Sequence, residues 1–204
     1  LRLAIVAFVI VLVIAAVAVL MKLKKPALPD GAQLYQGAGE TDLDPNSPDN
    51  TLYVDLKDGR VTIRMRPDLA PKHVQRIKEL TRQGFYDGLT FHRVIDGFMA
   101  QTGDPDGVGM GGSGVFIQAE FSGEKFVRGV VGMARSALDN SADSQFFIML
   151  GDGRFLDGKY TMWGEVTDGM AAVDAIKKGN PAANGKISGE PDKILRMHIA
   201  ADAK

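Results

Sequence analysis

Cysteine is absent from the 204 residues. That excludes disulfides, thiolate nucleophiles and thiolate metal sites, yet leaves the compartment open, because a cysteine-free chain suits either redox environment. Net charge is nearly absent too. The formal value is −1, so no global field draws the protein to nucleic acid. Histidine is scarce: His73, His92 and His198 stand far apart without ligand spacing, which reads as structural or surface use rather than metal binding. The single tryptophan, Trp163, lies in an apolar strand-like run and reads as core. No internal repeat is visible. Glycine is plentiful, at 24 residues, and implies the many turns of a β-rich domain. The length fits one domain with attachments, or two small ones.

Leu3 to Met21 is an uninterrupted apolar run of 19 residues. At about 1.5 Å per residue it nearly matches the ~30 Å core of a bilayer. Residues 1–25 are therefore expected to be a single transmembrane helix, either an anchor or an uncleaved signal. Ala16-Val17-Ala18 has the small-x-small form of a cleavage site, but the run exceeds a usual signal core, which favours a retained anchor. Orientation is contested. Lys22, Lys24 and Lys25 put the domain in the cytoplasm by the positive-inside rule, whereas the secretory look of the segment puts it on the extracytoplasmic, periplasmic side. The second is taken as the expectation and the first stays open. Residues 26–50, rich in Pro, Gly, Asp and Asn without apolar periodicity, read as a linker.

Residues 51–204 form the expected folded domain. TLYVDL and RVTIRM alternate around Lys57-Asp58-Gly59, a hairpin signal. Lys72 to Gln83 sets Val74, Ile77 and Leu80 on one helical stripe, with Gly84 as a stop. β-Type runs follow at 89–95, 98–102, 115–117, 130–135, 145–149, 160–166 and 193–200, and a second short helix fits Met170 to Lys178. Many strands with two isolated helices imply a mainly β fold: a closed antiparallel β-barrel whose open ends the helices cap.

The stretch that organises this domain is FHRVIDGFMAQTGDP, residues 91–105. It sets one cation, Arg93, near Phe91, Val94, Ile95, Phe98 and Met99, followed by the amide of Gln101, with Asp96-Gly97 as a turn between two short β-type runs. Such a string suits a groove that grips a small apolar group and donates a hydrogen bond to something polar beside it. It does not suit nucleophilic or metal chemistry.

This string resembles the signature of the cyclophilin family of peptidyl-prolyl cis/trans isomerases. GMGGSG (109–114), GMARS (132–136), SQFFIML (144–150) and FLDGKY (155–160) agree in the same order, and the resemblance covers roughly residues 50 to 202. It implies eight barrel strands, an isomerase acting on proline-containing polypeptides, and no cofactor, metal or nucleotide. It further implies that Arg93 and Gln101 are catalytic, with Gln101 and Gln145 positioning the substrate backbone. Phe98, Met99, Phe147 and Leu156 would grip the proline ring, flanked by Phe155 and Tyr160. Gly109, Ala134 and Arg135 would line the groove for the preceding residue. Gly109 also makes physical sense there, since a side chain would crowd an approaching backbone. Taken singly, Phe98, Met99 and Phe147 read as barrel core and Arg93 as a solvated cation. Their joint occurrence in one string reverses both readings.

The departures matter as well. Phe155 stands where many members, notably the cyclosporin-sensitive ones, have Trp; Phe keeps an apolar face but lacks the indole N–H, so cyclosporin binding is expected to weaken. Tyr160 stands where many have His, and Arg135 where many have Asn, while the short loop from Arg135 to Ser144 resembles bacterial members. Gly107, Gly109 and Gly112 fit G-x-G-x-x-G, but the β-type VFIQAEF follows where a helix should, so no dinucleotide site is expected. Asp104 and Asp106 read as turn formers. Two functions compete: a membrane-tethered isomerase assisting the folding of membrane-proximal clients, and a cyclophilin-like binding or structural subunit of a larger membrane complex, its helix packed on partner helices and isomerisation incidental.

Overall fold

Alternating apolar residues start the sheet. β1 (Thr51–Leu56) and β2 (Gly59–Met65) pair antiparallel with Val54 opposite Val61 across the expected Lys57-Asp58 turn. Leu52, Val54, Val61, Ile63 and Met65 are buried while their neighbours along each strand are not, the period-2 pattern of a half-buried pair. Each such side chain stabilises the fold by about 1.5–3 kcal/mol. The computed structural model describes residues 27–37 and 42–203, and the elements named here lie in one unit, Gly31–Lys204.

Six further strands follow: β3 (Arg93–Ile95), β4 (Met99–Thr102), β5 (Val130–Met133), β6 (Phe146–Met149), β7 (Met162–Asp168) and β8 (Arg196–Ile199). Together the eight form one sheet in the order β3-β4-β6-β5-β7-β2-β1-β8, antiparallel throughout. The stretch 115–117, expected as a strand, makes only isolated bridges, Phe116 to Leu34 and Ile117 to Ala142.

Two parts of the expected architecture are corrected. The barrel is not closed: the edge strands β3 and β8 do not pair with each other. The reason lies in the segment 179–195, which occupies the seam and takes the edge groups singly. Val94 N donates to Gly185 O (2.8 Å), Gly179 N to Val94 O (2.9 Å), Phe91 N to Asp192 O (2.9 Å) and Leu195 N to Asp55 O (2.8 Å). The edge is covered by a loop rather than by a strand, one of the ways in which sheets blunt exposed edges. Secondly, no helix among the described residues is long and apolar enough to cross a membrane. The run 3–21, on which the transmembrane helix was expected, lies outside the described residues.

Helix α1 (Pro71–Arg82) buries Val74, Ile77 and Leu80, starts on Pro71 and is followed by Gly84 at φ +69°. Helix α2 (Met170–Ala175) ends sooner than its apolar spacing implies, with Ile176 already extended at ψ 131°. Lys177 N donates instead to Asp192 Oδ2 (2.7 Å) and Gly179 N to Val94 O (2.9 Å), so tertiary partners take the donors a further turn would use. Within the expected linker, Gln33 to Tyr35 is held against the domain. Tyr35 N donates to Phe116 O (2.7 Å), Phe116 N to Gln33 O (2.9 Å), and the Tyr35 hydroxyl to Glu79.

The sheet buries apolar residues on both faces. Val94, Ala100, Ile148, Phe146 and Val131 join the main core, with Trp163 fully buried edge-on to Phe146. Met99, Phe147 and Met149 point the other way, into a smaller cluster with Phe126, Leu156 and Met162. That explains why β6 reads as a continuous apolar run rather than an alternating one.

Candidate active site

One row of residues builds the site. Register sets Arg93 opposite Gln101, Gln101 opposite Phe147, and Phe147 opposite Gly132, across β3, β4, β6 and β5. Residues in one row share a face, here the face away from the main core. The next row on that face is Ile95, Met99 and Met149. Gly132 supplies room: a Cβ there would lie 2.5 Å from the Phe147 ring and 2.6 Å from Phe126. The turn joining β3 to β4 needs Gly97 at φ +67°, with Phe98 N closing it on Ile95 O (3.0 Å).

Every residue expected at the site except Gln145 lines one cavity of about 520 Å³. Its floor is Met99, Phe147 and Leu156, all buried. Phe98 and Phe155 make one wall, with rings 5.3 Å apart, and Tyr160 stands edge-on to Phe147 at 6.0 Å. The smaller cluster under the sheet is thus neither barrel core nor solvent face; it is the support of this cavity. Gln145 is one step removed. Gln101 Nε2 donates to Gln145 Oε1 (2.9 Å), and Gln145 Nε2 donates to Gly111 O (2.8 Å).

Arg93 is held by neutral acceptors. Nη1 donates to Gln101 Oε1 (3.0 Å), Nε to the Asn184 carbonyl (3.0 Å) and Nη2 to Asn184 Oδ1 (2.9 Å). Among the described residues no carboxylate pairs with it. Burial pulls its pKa below the usual arginine value, opposed by the field of Tyr160, yet a guanidinium stays charged at neutral pH. Its positive charge therefore faces the cavity without an ion-pair partner.

Arg135 is committed differently. Its guanidinium lies 4.7 Å over the Tyr160 ring, donates from Nε (3.1 Å) and Nη2 (2.9 Å) to Lys159 O, and from Nη1 to Ser136 O (3.0 Å). Asp139 lies 3.6 Å away. Arg135 ties the 134–136 wall to the 159–160 wall.

The glycine-rich loop is organised by Asp104, which is fully buried. Its carboxylate accepts from the backbone N–H groups of Asp106 (2.8 Å), Val108 (3.0 Å), Gly109 and Met110 (3.1 Å). Burial works against the charged form, but the N–H groups of Asp106, Gly109 and Gly111, with the field of His92, outweigh it and the pKa is lowered. Gly109 sits at φ +88°, so the backbone itself demands glycine there, a stronger reason than the crowding argued from sequence.

Several lining residues were not foreseen: His92, Gly107, Val108, Ala183, Asn184 and Lys186. His92 is 8% exposed, and burial lowers its pKa despite Asp104 nearby. His73, by contrast, is buried with Nδ1 2.6 Å from Glu120, and does not line the cavity. Asn184-Gly185 is legible as a turn dipeptide, but nothing local marks its meeting with Arg93, 91 residues earlier.

Comparison with known proteins identifies the family and the fold. The sequence profile of the family described as "Cyclophilin type peptidyl-prolyl cis-trans isomerase/CLD" matches residues 51–199. A protein from Brucella suis named "Probable peptidyl-prolyl cis-trans isomerase" is 56% identical over 169 residues, covering 77% of this chain and 86% of the relative. The Bacillus subtilis "Peptidyl-prolyl cis-trans isomerase B" is 37% identical over 142 residues, 68% of this chain and 99% of its own. Among solved structures, a Hirschia baltica cyclophilin superposes with a TM-score of 0.68 at 27% identity, covering 78% of this chain and 76% of that one. A Cryptosporidium parvum cyclophilin-type isomerase, crystallised in the presence of the dipeptide Ala-Pro, gives 0.66 at 26% identity, covering 73% and 98%. The chain belongs to the cyclophilin-type peptidyl-prolyl cis-trans isomerases and is an enzyme of that class.

Proposed function

We propose that the cavity beneath Arg93 takes the proline ring of an X–Pro segment, and that Arg93 is the group that lowers the rotational barrier. That barrier of ~18–20 kcal/mol exists because the nitrogen lone pair is delocalised into the carbonyl. In the twisted state the lone pair is localised on nitrogen. A donor aimed at it stabilises the transition state more than either planar ground state. Raising ~0.01–0.1 per second to ~10³ per second requires about 5.5–7 kcal/mol. One charge-assisted hydrogen bond gives about 1.5–3 kcal/mol, so the rest comes from the apolar grip on the ring while the carbonyl side turns. The observation that carries this reading is a guanidinium held, among the described residues, by amide acceptors alone, at a cavity whose floor is the apolar Met99, Phe147 and Leu156.

The substrates in this reading are exposed X–Pro bonds of unfolded or flexible chains, consistent with the Ala-Pro dipeptide used with the Cryptosporidium parvum relative. We further assign the clients to a membrane surface on its extracytoplasmic side. The support is the sequence alone: the apolar run 3–21 and the linker-like composition that follows it. A reporter fused at the C-terminus tests the side, and a signal from the cytoplasm overturns that assignment. For the chemistry, cis/trans exchange of a proline peptide is followed by NMR line shape with the wild type and with Arg93→Ala. Exchange should be fast with the first and reduced about 10- to 150-fold with the second. Equal rates would remove Arg93 from the mechanism.

A further inference from the structure

The loop Asn180–Lys186 is built onto the outer edge of β3. Asn180 N donates to Lys186 O (3.0 Å), Gly185 N to Asn180 O (2.9 Å), and Val94 N to Gly185 O (2.8 Å). Gly185 fits against β3 so closely that a Cβ would meet Ile95 at 2.5 Å. Before it comes Asn184 at φ 53° and ψ 38°, which is the only non-glycine residue with positive φ among the described residues. Left-handed backbone disfavours most side chains but is tolerated by Asn and Asp. This conformation turns both the carbonyl and the side-chain amide of one residue onto the same guanidinium, at 3.0 Å to Nε and 2.9 Å to Nη2. Gln101 takes Nη1 at 3.0 Å.

The chemical character of the cradle matters more than its presence. A carboxylate in the same position would hold Arg93 more firmly, because an Arg–carboxylate pair adds the attraction of opposite charges to the hydrogen bonds. It would also offset the positive charge that the reaction uses. An amide fixes the fork and leaves the charge intact.

We propose that Asn184 is a positioning residue for the isomerase reaction, fixing the Arg93 guanidinium toward the cavity through a neutral two-point cradle. The inference rests on the reading of Arg93 given above. It makes the loop 180–186, which sequence reasoning left out of the site, part of the machinery. Asn184 acts through Arg93 and is given no contact with the reacting bond.

The test compares Asn184→Asp with Asn184→Gly in the full chain. Asp is isosteric with Asn and tolerates the left-handed backbone, so a purely structural role for Asn184 leaves Asn184→Asp close to wild type. The proposal expects the opposite. Asn184→Asp should keep its melting temperature yet lose about tenfold in kcat, with KM little changed, because the new carboxylate neutralises Arg93. Asn184→Gly keeps the carbonyl and the backbone conformation but loses the Oδ1 contact, and should fall less far. The Arg93 Nε NMR resonance should shift in Asn184→Asp and broaden in Asn184→Gly. An Asn184→Asp variant matching wild type in kcat overturns the proposal while Arg93→Ala still shows its loss. If Arg93→Ala is as fast as wild type, the reading of Arg93 falls and this inference falls with it.

Discussion

Arg93 and Gln101 face each other across β3 and β4, and the guanidinium Nη1 donates to the amide Oε1 at 3.0 Å. The same amide donates on to Gln145 (2.9 Å), which donates to the Gly111 carbonyl (2.8 Å). The edge strand and the glycine loop are joined by one hydrogen-bonded chain.

Residues in one network do not contribute independently. Gln101→Ala removes an acceptor from Arg93 and an amide donor from Gln145, and is expected to lower kcat/KM about tenfold. Gln145→Ala leaves the Arg93 contact in place and should cost only a few-fold. The double variant should resemble Gln101→Ala alone, so the coupling equals the Gln145→Ala loss, about 0.5–1 kcal/mol. Steady-state kinetics on one proline peptide checks this, and strictly additive losses would separate the two glutamines.

Gly132 is argued from space. A methyl group there meets the Phe147 and Phe126 rings at 2.5 and 2.6 Å, so the ring on the cavity floor must move. Gly132→Ala should destabilise by about 1–3 kcal/mol, as overpacking does, and raise KM more than it lowers kcat. Denaturant titration and peptide kinetics together check it. Unchanged KM would mean that the Phe147 ring relaxes without disturbing the cavity.

How much of this was legible follows from distance along the chain. FHRVIDGFMAQTGDP lays Arg93, Phe98, Met99 and Gln101 on one hairpin, so alternation puts Met99 and Gln101 on one face and the register set by the short turn brings Arg93 beside them. Phe147 and Gly132 were readable as motif members, but their place in one row depends on register between strands that are not consecutive. Asn184 was readable as a turn residue but not as part of the site, because its role comes from a single left-handed residue meeting an edge strand. The closed barrel failed for a related reason. Periodicity reports strands, whereas closure depends on whether β8 reaches β3, and the loop 179–195 fills that seam.

Asp104 gives a pH dependence with a definite sign. Its folded pKa is lowered, so it contributes stability that is fully present above the unfolded carboxylate value of ~3.9 and is lost as pH falls through its lower folded value. Asp104→Asn removes charge-assisted acceptors from the N–H groups of Asp106, Val108, Gly109 and Met110. It should cost about 1–3 kcal/mol at pH 7 and progressively less as pH falls below the unfolded carboxylate value and through the lower folded one. Melting temperatures measured from pH 7 downward should converge for the two proteins. A constant gap would show that the carboxylate charge is not what organises the loop.

Phe155 supplies the last prediction. It is 62% exposed, and the aromatic ring it meets is Phe98, at 5.3 Å, so its side chain adds an apolar face to the wall and no donor of its own. The resemblance to cyclosporin-sensitive cyclophilins, which carry Trp here, turns that missing donor into a test. Because the outer side of the ring is open, Phe155→Trp can place a larger indole without repacking the floor formed by Met99, Phe147 and Leu156. A restored N–H hydrogen bond is worth about 0.5–1.5 kcal/mol, or roughly 2- to 13-fold in affinity. Cyclosporin titration against isomerase activity should therefore show weak inhibition of the wild type and clearly tighter inhibition of Phe155→Trp. Equal inhibition of both would mean that the indole N–H is not the group that distinguishes sensitive members, and that another wall of the groove sets the difference.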